Sequence, residues 1–292
     1  PHKDRLSILK ILQGREIKKY NFNEEAFTLL ENFRLTKNMI DQIRVMVFGQ
    51  ILDNEQMEQL LEKILPDPGK GKNLRKRIME AGAIAAYQQQ TDYPIIQILL
   101  SDDARQFKLI TKWQALCWVH DGRNYKRLHP IVPFHKEKLE KFLDRYWNYY
   151  GKLLEYKKNP SSQMAKILSA EFDKLFSTKT KYRALDERIA KTKANKAQLL
   201  LVLKYPELPL HNNDAELGAR AQVRKRVVSL HTMTKDGTKA NDTFMTIVQT
   251  AKKLGVSSYE YIHDRVSKSF CMPSLSELIE AKKNAEINID AG

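Results

Sequence analysis

Residues 94–104, PIIQILLSDDA, constrain the fold more than any other stretch of the chain. Ile95, Ile96, Ile98, Leu99 and Leu100 follow one another with only Gln97 between them, and Ser101-Asp102-Asp103 ends the run. A run this short and this apolar reads as a strand buried on both faces, the kind found in the centre of an α/β sheet. QALCWVHDGR, residues 114–123, repeats the style after a short connection. Two neighbouring strands are therefore expected at roughly 95–101 and 114–119.

Around these strands the pattern is helical. Residues 1–90 read as a mostly helical segment. LDNEQMEQLLEKILPDPG has Asp53 or Asn54 as N-cap, Met57, Leu60, Leu61 and Ile64 at helical spacing, and a Pro-Gly stop. A basic loop, GKGKNLRKR, leads into the small-residue helix IMEAGAIAAYQQQ. The loop lacks the G-x-x-x-x-G-K-[ST] spacing and no strand precedes it, which excludes a phosphate-binding P-loop. From Pro133 to about Leu203 the chain stays helical. After Pro209, a cap at Asn212, Asn213 or Asp214 starts the helix AELGARAQVRKRVVSL, and a turn at Gly237 precedes the amphipathic NDTFMTIVQTAKKLG. The tail after Pro273 is expected to be peripheral and to end in a frayed polar stretch, AEINIDAG.

Charge narrows the partner. Lys and Arg number 50 against 35 Asp and Glu, a net charge of +15. That excess favours a polyanion, because each neutralised phosphate releases condensed counterions. Cys117 and Cys271 are too few for a disulfide framework or a zinc quartet, which suits a reducing cytosol. No apolar run approaches the roughly 18 residues of a membrane helix, and PHKDRLSILK has no signal-peptide apolar region.

Two acids stand out. Asp102 lies just beyond the C-terminal end of a buried strand, where open α/β sheets place ligands. Glu216 lies in the first turn of a helix behind a double Asn. Each also has a local explanation: Ser-Asp-Asp as a turn, and Glu216 as a first-turn acid that favours the helix dipole. The full order is strand-SDDA, then strand-CWVH-x-x-R, a long helical segment, and P-L-x-N-N-x-x-E followed by Arg and Lys. It resembles the transposase family of insertion sequence sixty-six and its unclassified bacterial relatives. The resemblance runs over nearly the whole chain and is densest at 95–130 and 205–263.

The resemblance implies an α/β, partial ribonuclease H-like fold with a long α-helical insertion, predominantly helical overall. Residues 91–132 and 205–268 would form the catalytic core, 133–204 the insertion and 269–292 the tail. Asp102 would be the second acid of a DDE triad, with Asp103 the alternative, and Glu216 the third. Both would be catalytic and would ligate Mg²⁺, with Mn²⁺ able to substitute. Hard cations prefer carboxylate oxygens, and an in-line displacement at phosphorus uses two of them about 4 Å apart. The implied partners are transposon ends and target DNA, in a homo-oligomeric synaptic complex of a bacterial, cytoplasmic, nucleoid-associated protein. Cys117 and His120 match a C-x-x-H element of related families, structural or DNA-positioning rather than a zinc site. A buried Cys and a hydrogen-bonded His account for them equally well.

The basic residues divide by position. Arg220, Arg224, Lys225 and Arg226 follow Glu216 on its helix, Arg220 one turn on. Arg123, Lys126 and Arg127 follow the CWVH strand and are expected to line the same cleft, contacting DNA. Lys179, Lys181, Lys191, Lys193 and Lys196 read as a solvated helical face. Trp118, Tyr146, Trp147 and Tyr149 read as core rather than base-stacking residues.

A first catalytic Asp on a first strand is expected of this class. Asp53 follows the apolar run IRVMVFGQIL, yet Gln56 three residues on makes it a capping box, the preferred reading. Asp4, Asp41, Asp67 and Asp92 have no strand before them. The first strands, the first Asp and any N-terminal DNA-binding domain are thus expected upstream of Pro1, leaving this chain alone inactive. A non-catalytic DNA-binding remnant or regulator derived from a transposase is the alternative function. A helical RNA-binding or scaffold protein is a more distant one.

Overall fold

Helix dominates because the apolar residues recur at helical spacing nearly everywhere outside 94–117. The computed structural model describes residues 4–67, 71–230 and 232–290. They fall into two units, Pro1–Asn212 and Asn213–Gly292.

The first unit opens with α1 (Arg5–Gln13), β1 (Tyr20–Asn21), α2 (Glu24–Asn32), α3 (Lys37–Val47), β2 (Ile51–Leu52), α4 (Asn54–Ile64) and α5 (Lys72–Gln89). β1 and β2 form a short antiparallel pair that the sequence does not announce. Asp53 sits where β2 hands over to α4. Its Oδ1 accepts the Gln56 N–H at 2.9 Å, and Gln56 Oε1 accepts the Asp53 N–H at 3.0 Å. This is the expected capping box, whose cap is worth about 1 kcal/mol. The basic stretch at 69–77 is not a loop from Lys72 onward but the first turns of α5, entered through Gly71 at φ 83°. Residues 68–70 lie outside the described part. Small residues on α5 let it run through the core: a Cβ on Gly82 would stand 3.0 Å from Tyr20 Cβ.

β3 (Ile98–Ser101) and β4 (Trp113–Leu116) pair in parallel, Ile98 opposite Trp113 and Ser101 opposite Leu116. The Cys117 N–H donates to the Ser101 carbonyl at 2.9 Å and extends the ladder by one rung. Two neighbouring strands are thus present, but the first starts only at Ile98 and is half-buried up to Ser101 rather than buried on both faces, and the second ends earlier than expected. Trp118, Val119 and His120 belong to α6 (Trp118–Lys126). A short apolar run such as LCWV fits either element by periodicity, and tertiary packing decides. Here the Trp118 indole, fully buried, turns inward and donates to the Leu199 carbonyl at 2.9 Å.

The helices α7 (Pro133–Lys158), α8 (Ser162–Leu175), α9 (Arg183–Ala194) and α10 (Lys196–Leu199) follow. α7, about 39 Å long at 1.5 Å per residue, buries Leu139, Phe142, Tyr146, Tyr149, Leu153 and Tyr156. That 3-4 spacing is a single stripe facing the core. It packs with Trp118, Phe172 and Phe176. The expected core role of Trp118, Tyr146 and Tyr149 is what the structure displays. Their polar ends are satisfied too: the Tyr146 hydroxyl donates to the Trp118 carbonyl at 2.9 Å, and that of Tyr149 to Leu168 at 2.8 Å.

The second unit comprises α11 (Asn213–Ser229), α12 (Lys235–Leu254), α13 (Ser258–Val266) and α14 (Leu275–Asp290). Gly237 lies inside the first turn of α12, not before it, and its N–H donates to the Thr234 hydroxyl at 2.9 Å. The tail is a helix rather than a frayed strand of chain: α14 packs on α12. No helix among the described residues is long and apolar enough to cross a membrane.

Gly122 shows how tightly α6 is held. A Cβ there would lie 2.7 Å from Trp147 Cζ2 and 3.2 Å from Tyr146 Cε1. Helix propensity favours Ala over Gly by about 1 kcal/mol, but the ring contacts are backed by a packed core. Gly122→Ala is therefore expected to destabilise, by about 1–3 kcal/mol, in urea denaturation. A stabilised variant would mean that the Trp147 ring moves freely.

Candidate functional site

The site is built where β3 ends. The backbone turns at Asp102, whose Oδ1 accepts the Ala104 N–H at 3.1 Å, a short Asx turn. Ser101 Oγ donates to the Asp102 carbonyl at 2.8 Å, and Gln114 Nε2 on β4 donates to Ser101 Oγ at 2.9 Å. These bonds fix the Asp102 backbone against the sheet. Its carboxylate, half-buried, lines a cleft of about 340 Å³.

α6 supplies the facing wall. Cys117, His120, Asp121, Arg123, Asn124 and Arg127 border the same cleft, and Asn195 closes it from the end of α9. Helical spacing explains the grouping, since residues three and four apart share a face. Arg123 Nη1 lies 3.5 Å from His120 Nε2. Cys117 is buried and caps α6. Of the three cations expected here, Arg123 and Arg127 line the cleft and Lys126 does not. Lys126 is exposed, its Nζ 5.9 Å from the centroid of the Trp147 ring. Asp103 also borders the cleft, but it is held by Lys108 Nζ at 2.6 Å and Asn195 Nδ2 at 3.3 Å.

Beneath the cleft lies a buried charge. Asp121 forms an ion pair with Arg188 of α9, accepts from the Thr192 hydroxyl at 2.9 Å and from the Tyr146 hydroxyl at 3.1 Å. Burial pushes the Asp121 carboxyl above its ordinary value, partly offset by the Arg188 guanidinium and the two hydroxyls. Burial, reinforced by the Asp121 charge, also raises the Tyr146 phenol. This cluster clamps α6 to α7 and α9 and so fixes the helix that carries Arg123 and Arg127 to the cleft. Sequence reasoning missed Asp121 and Asn195. Asp121 was legible as the fourth residue on from Cys117, once the segment is read as helix, whereas Asn195 meets Asp103 across 92 positions.

Glu216 and its cations belong to the second unit. All lie on α11; Glu216 is half-buried, and Arg220, Arg224, Lys225 and Arg226 are exposed. Glu216, Arg220 and Arg224, at steps of four, share a helix face. Among the described residues, no group of three or more His, Cys, Asp or Glu converges as a metal cage.

An acid at the end of a parallel strand, arginines across a cleft from it, and a helical block between the two acid motifs suit a protein that handles phosphodiesters. Comparison with known proteins narrows this. The model of the Transposase IS66 family matches residues 81–240, more than half of the chain, and the chain belongs to that family. It is also 31% identical over 288 residues to the uncharacterized protein y4jO of Sinorhizobium fredii (strain NBRC 101917 / NGR234). The alignment covers 96% of this chain and 86% of that relative. No solved structure matches.

The raised Asp121 carboxyl has a testable sign. The folded protein holds that proton more tightly than the unfolded chain, whose carboxyl has the ordinary value of 3.8. The contribution is therefore fully present below 3.8 and is lost as pH rises through the higher folded value. Unfolding free energies of the wild type relative to Asp121→Asn should fall across that window and level off above it. A relative stability that climbs with pH would show that pairing with Arg188 outweighs burial.

Proposed function

We propose that this protein is the catalytic part of a DNA transposase that cleaves and joins strands at transposon ends, with Asp102 and Glu216 as its second and third metal-holding acids. The observation that carries the reading is the cleft of the first unit, where the Asp102 carboxylate faces Arg123 and Arg127 at the end of a parallel strand pair. Carboxylate and guanidinium together on one cleft suit a phosphodiester: the arginines hold its oxygens bidentately, and the acid offers hard oxygen donors. In this reading β3 and β4 belong to a ribonuclease H-like sheet, and residues 133–204 are a helical insertion in the core formed by 91–132 and 205–268.

Asp102 fits a Mg²⁺ or Mn²⁺ ligand by donor type and position. Its backbone is fixed, one carboxylate oxygen is oriented by the Ala104 N–H, and the group borders open space. Glu216 would complete the pair, and when bound the metal supplies activation of the attacking oxygen and stabilisation of the leaving one. Arg123 and Arg127 orient the scissile phosphate, while Lys126, Arg220, Arg224, Lys225 and Arg226 neutralise flanking phosphates. DNA is the partner, as the net charge of +15 supports, with a second copy of the chain in a synaptic assembly.

The same basic excess serves a second reading, a non-catalytic DNA-binding relative that occupies transposon ends. Transposition of a marked element, supported by the complete natural gene product, separates the two. Asp102→Asn and Glu216→Gln should each lower it by about 10³-fold or more, since metal stabilisation is worth several kcal/mol, while DNA binding is retained. Asp103→Asn, already paired with Lys108, should cost far less. Transposition that survives Asp102→Asn sinks the catalytic assignment. A wild type that blocks transposition by another copy while catalysing none supports the second reading.

A further inference from the structure

A larger groove opens beside the Asp102 cleft, within the same unit. It encloses about 800 Å³ and shares Asp103, Leu116 and Asn195 with that cleft. Its cations come from three separate elements: Arg34 just after α2, Arg77 on α5, and Arg105 and Lys112 in the connection between β3 and β4. None of these four forms an ion pair among the described residues, whereas the two acids nearby are already engaged. Asp103 is held by Lys108 at 2.6 Å, and Glu80 by Arg5 at 2.9 Å. Four cations facing one groove make a field that an anion relieves.

The backbone adds an independent observation. Among the described residues six that are not glycine have positive φ, and two of them line this groove: Arg34 at 60° and Leu109 at 66°. Side chains rarely adopt that conformation; Arg34 takes it where α2 ends, with the Leu35 N–H donating to the Leu30 carbonyl at 3.2 Å, so the end of the helix sets where the side chain goes. In both cases the conformation projects an exposed side chain at the groove, a cation at Arg34 and an apolar surface at Leu109. Trp113, at the start of β4, is 36% exposed on the same wall, with Lys204 Nζ 4.4 Å from its ring centroid.

From this arrangement we infer that the groove binds a single strand of DNA, with Arg34, Arg77, Arg105 and Lys112 on its phosphates and Trp113 and Leu109 against its bases. A small anion would meet only one or two of the cations, which sit on different elements; a strand meets them in succession. Aromatic and apolar surface beside a basic track is the pattern of single-strand binding, because bases must be unpaired to reach it. The volume, within the roughly 300–1,000 Å³ typical of ligand pockets, suits a few nucleotides and not the breadth of a duplex. The shared Asp103 and Asn195 make the groove continuous with the Asp102 cleft, so it receives the strand on one side of that cleft. Binding here does not depend on Asp102 or Glu216 being catalytic.

The test is fluorescence anisotropy of the full chain with a labelled single-stranded oligonucleotide and the same sequence as duplex, over a series of salt concentrations. Arg34→Glu and Lys112→Glu change exposed side chains and Arg77→Glu a half-buried one, and circular dichroism checks that each variant stays folded. Each should weaken single-strand binding on the order of tenfold and lower the log–log salt slope by about 0.7 for every phosphate that is no longer neutralised. Trp113→Ala should weaken it on the order of tenfold with no change in slope, as stacking is not ionic. Affinity and slope unchanged in folded variants would overturn the proposal. An equal weakening for duplex and single strand would overturn it as well, since the surface would then be a duplex contact. Asp102→Asn should bind as the wild type does, so a failed groove leaves the catalytic reading standing, and a failed catalytic reading leaves the groove.

Discussion

Trp118 is the residue on which the first unit depends. It stands where β4 becomes α6, and both its backbone and its side chain are committed. Its N–H donates to the Leu210 carbonyl at 3.0 Å, its indole N–H to the Leu199 carbonyl, and its own carbonyl accepts the Tyr146 hydroxyl. Its ring packs at 5.5 Å from that of Tyr146 and 5.6 Å from that of Tyr149. A fully buried indole of this size contributes several kcal/mol on truncation scales, and here it also sets direction. By forcing the chain out of the strand one residue after Cys117, it starts α6 in the register that turns His120, Arg123 and Arg127 toward the Asp102 cleft. It also ties down the segment at Leu210, two residues before the first unit ends.

The electrostatics around that pin are layered. The buried carboxylate of Asp121 is paired with one guanidinium and accepts from two hydroxyls, which costs desolvation and in return fixes three helices to one another. Along the cleft itself the charges are mixed, Asp102 and Asp103 at the end of β3 against Arg123 and Arg127 of the α6 segment. The buried ion pair and the cleft cations are thus carried by the same nine-residue helix and the residue that follows it. The buried cluster holds the helix in place, so the orientation of Arg123 and Arg127 follows from the helix itself.

Much of the site was legible in the sequence because its signals are local. SDDA after an apolar run placed Asp102 at a strand end, the order of the chain placed Arg123 and Arg127 just after the CWVH segment, and Asp53 with Gln56 announced a cap. What failed was also local in origin. LCWV fits strand and helix alike by pattern, and only the distant carbonyl of Leu199 and the α7 tyrosines decide for helix. GKGKNLRKR read as a loop because glycine and charge cluster there, yet helix α5 starts at Lys72 since Ile78, Ala81 and Ile84 have a core to enter. Nothing local marks Asn195 or Arg34 as neighbours of the β3–β4 connection, for these meetings are made by tertiary packing across long separations. The cations of that connection, Arg105, Lys108 and Lys112, were in plain view after SDDA, and their spacing was the missed sign of a basic wall.

The proposed function has Asp102 and Glu216 hold metal together. A crystal of the protein grown with Mn²⁺, its anomalous signal located, tests this most directly. Manganese is expected with carboxylate oxygens of both Asp102 and Glu216 at about 2.0–2.2 Å, in an oxygen shell completed by water. Manganese bound elsewhere, or the two carboxylates on separate faces with no ion between them, would contradict it and leave a basic DNA-binding protein without strand chemistry.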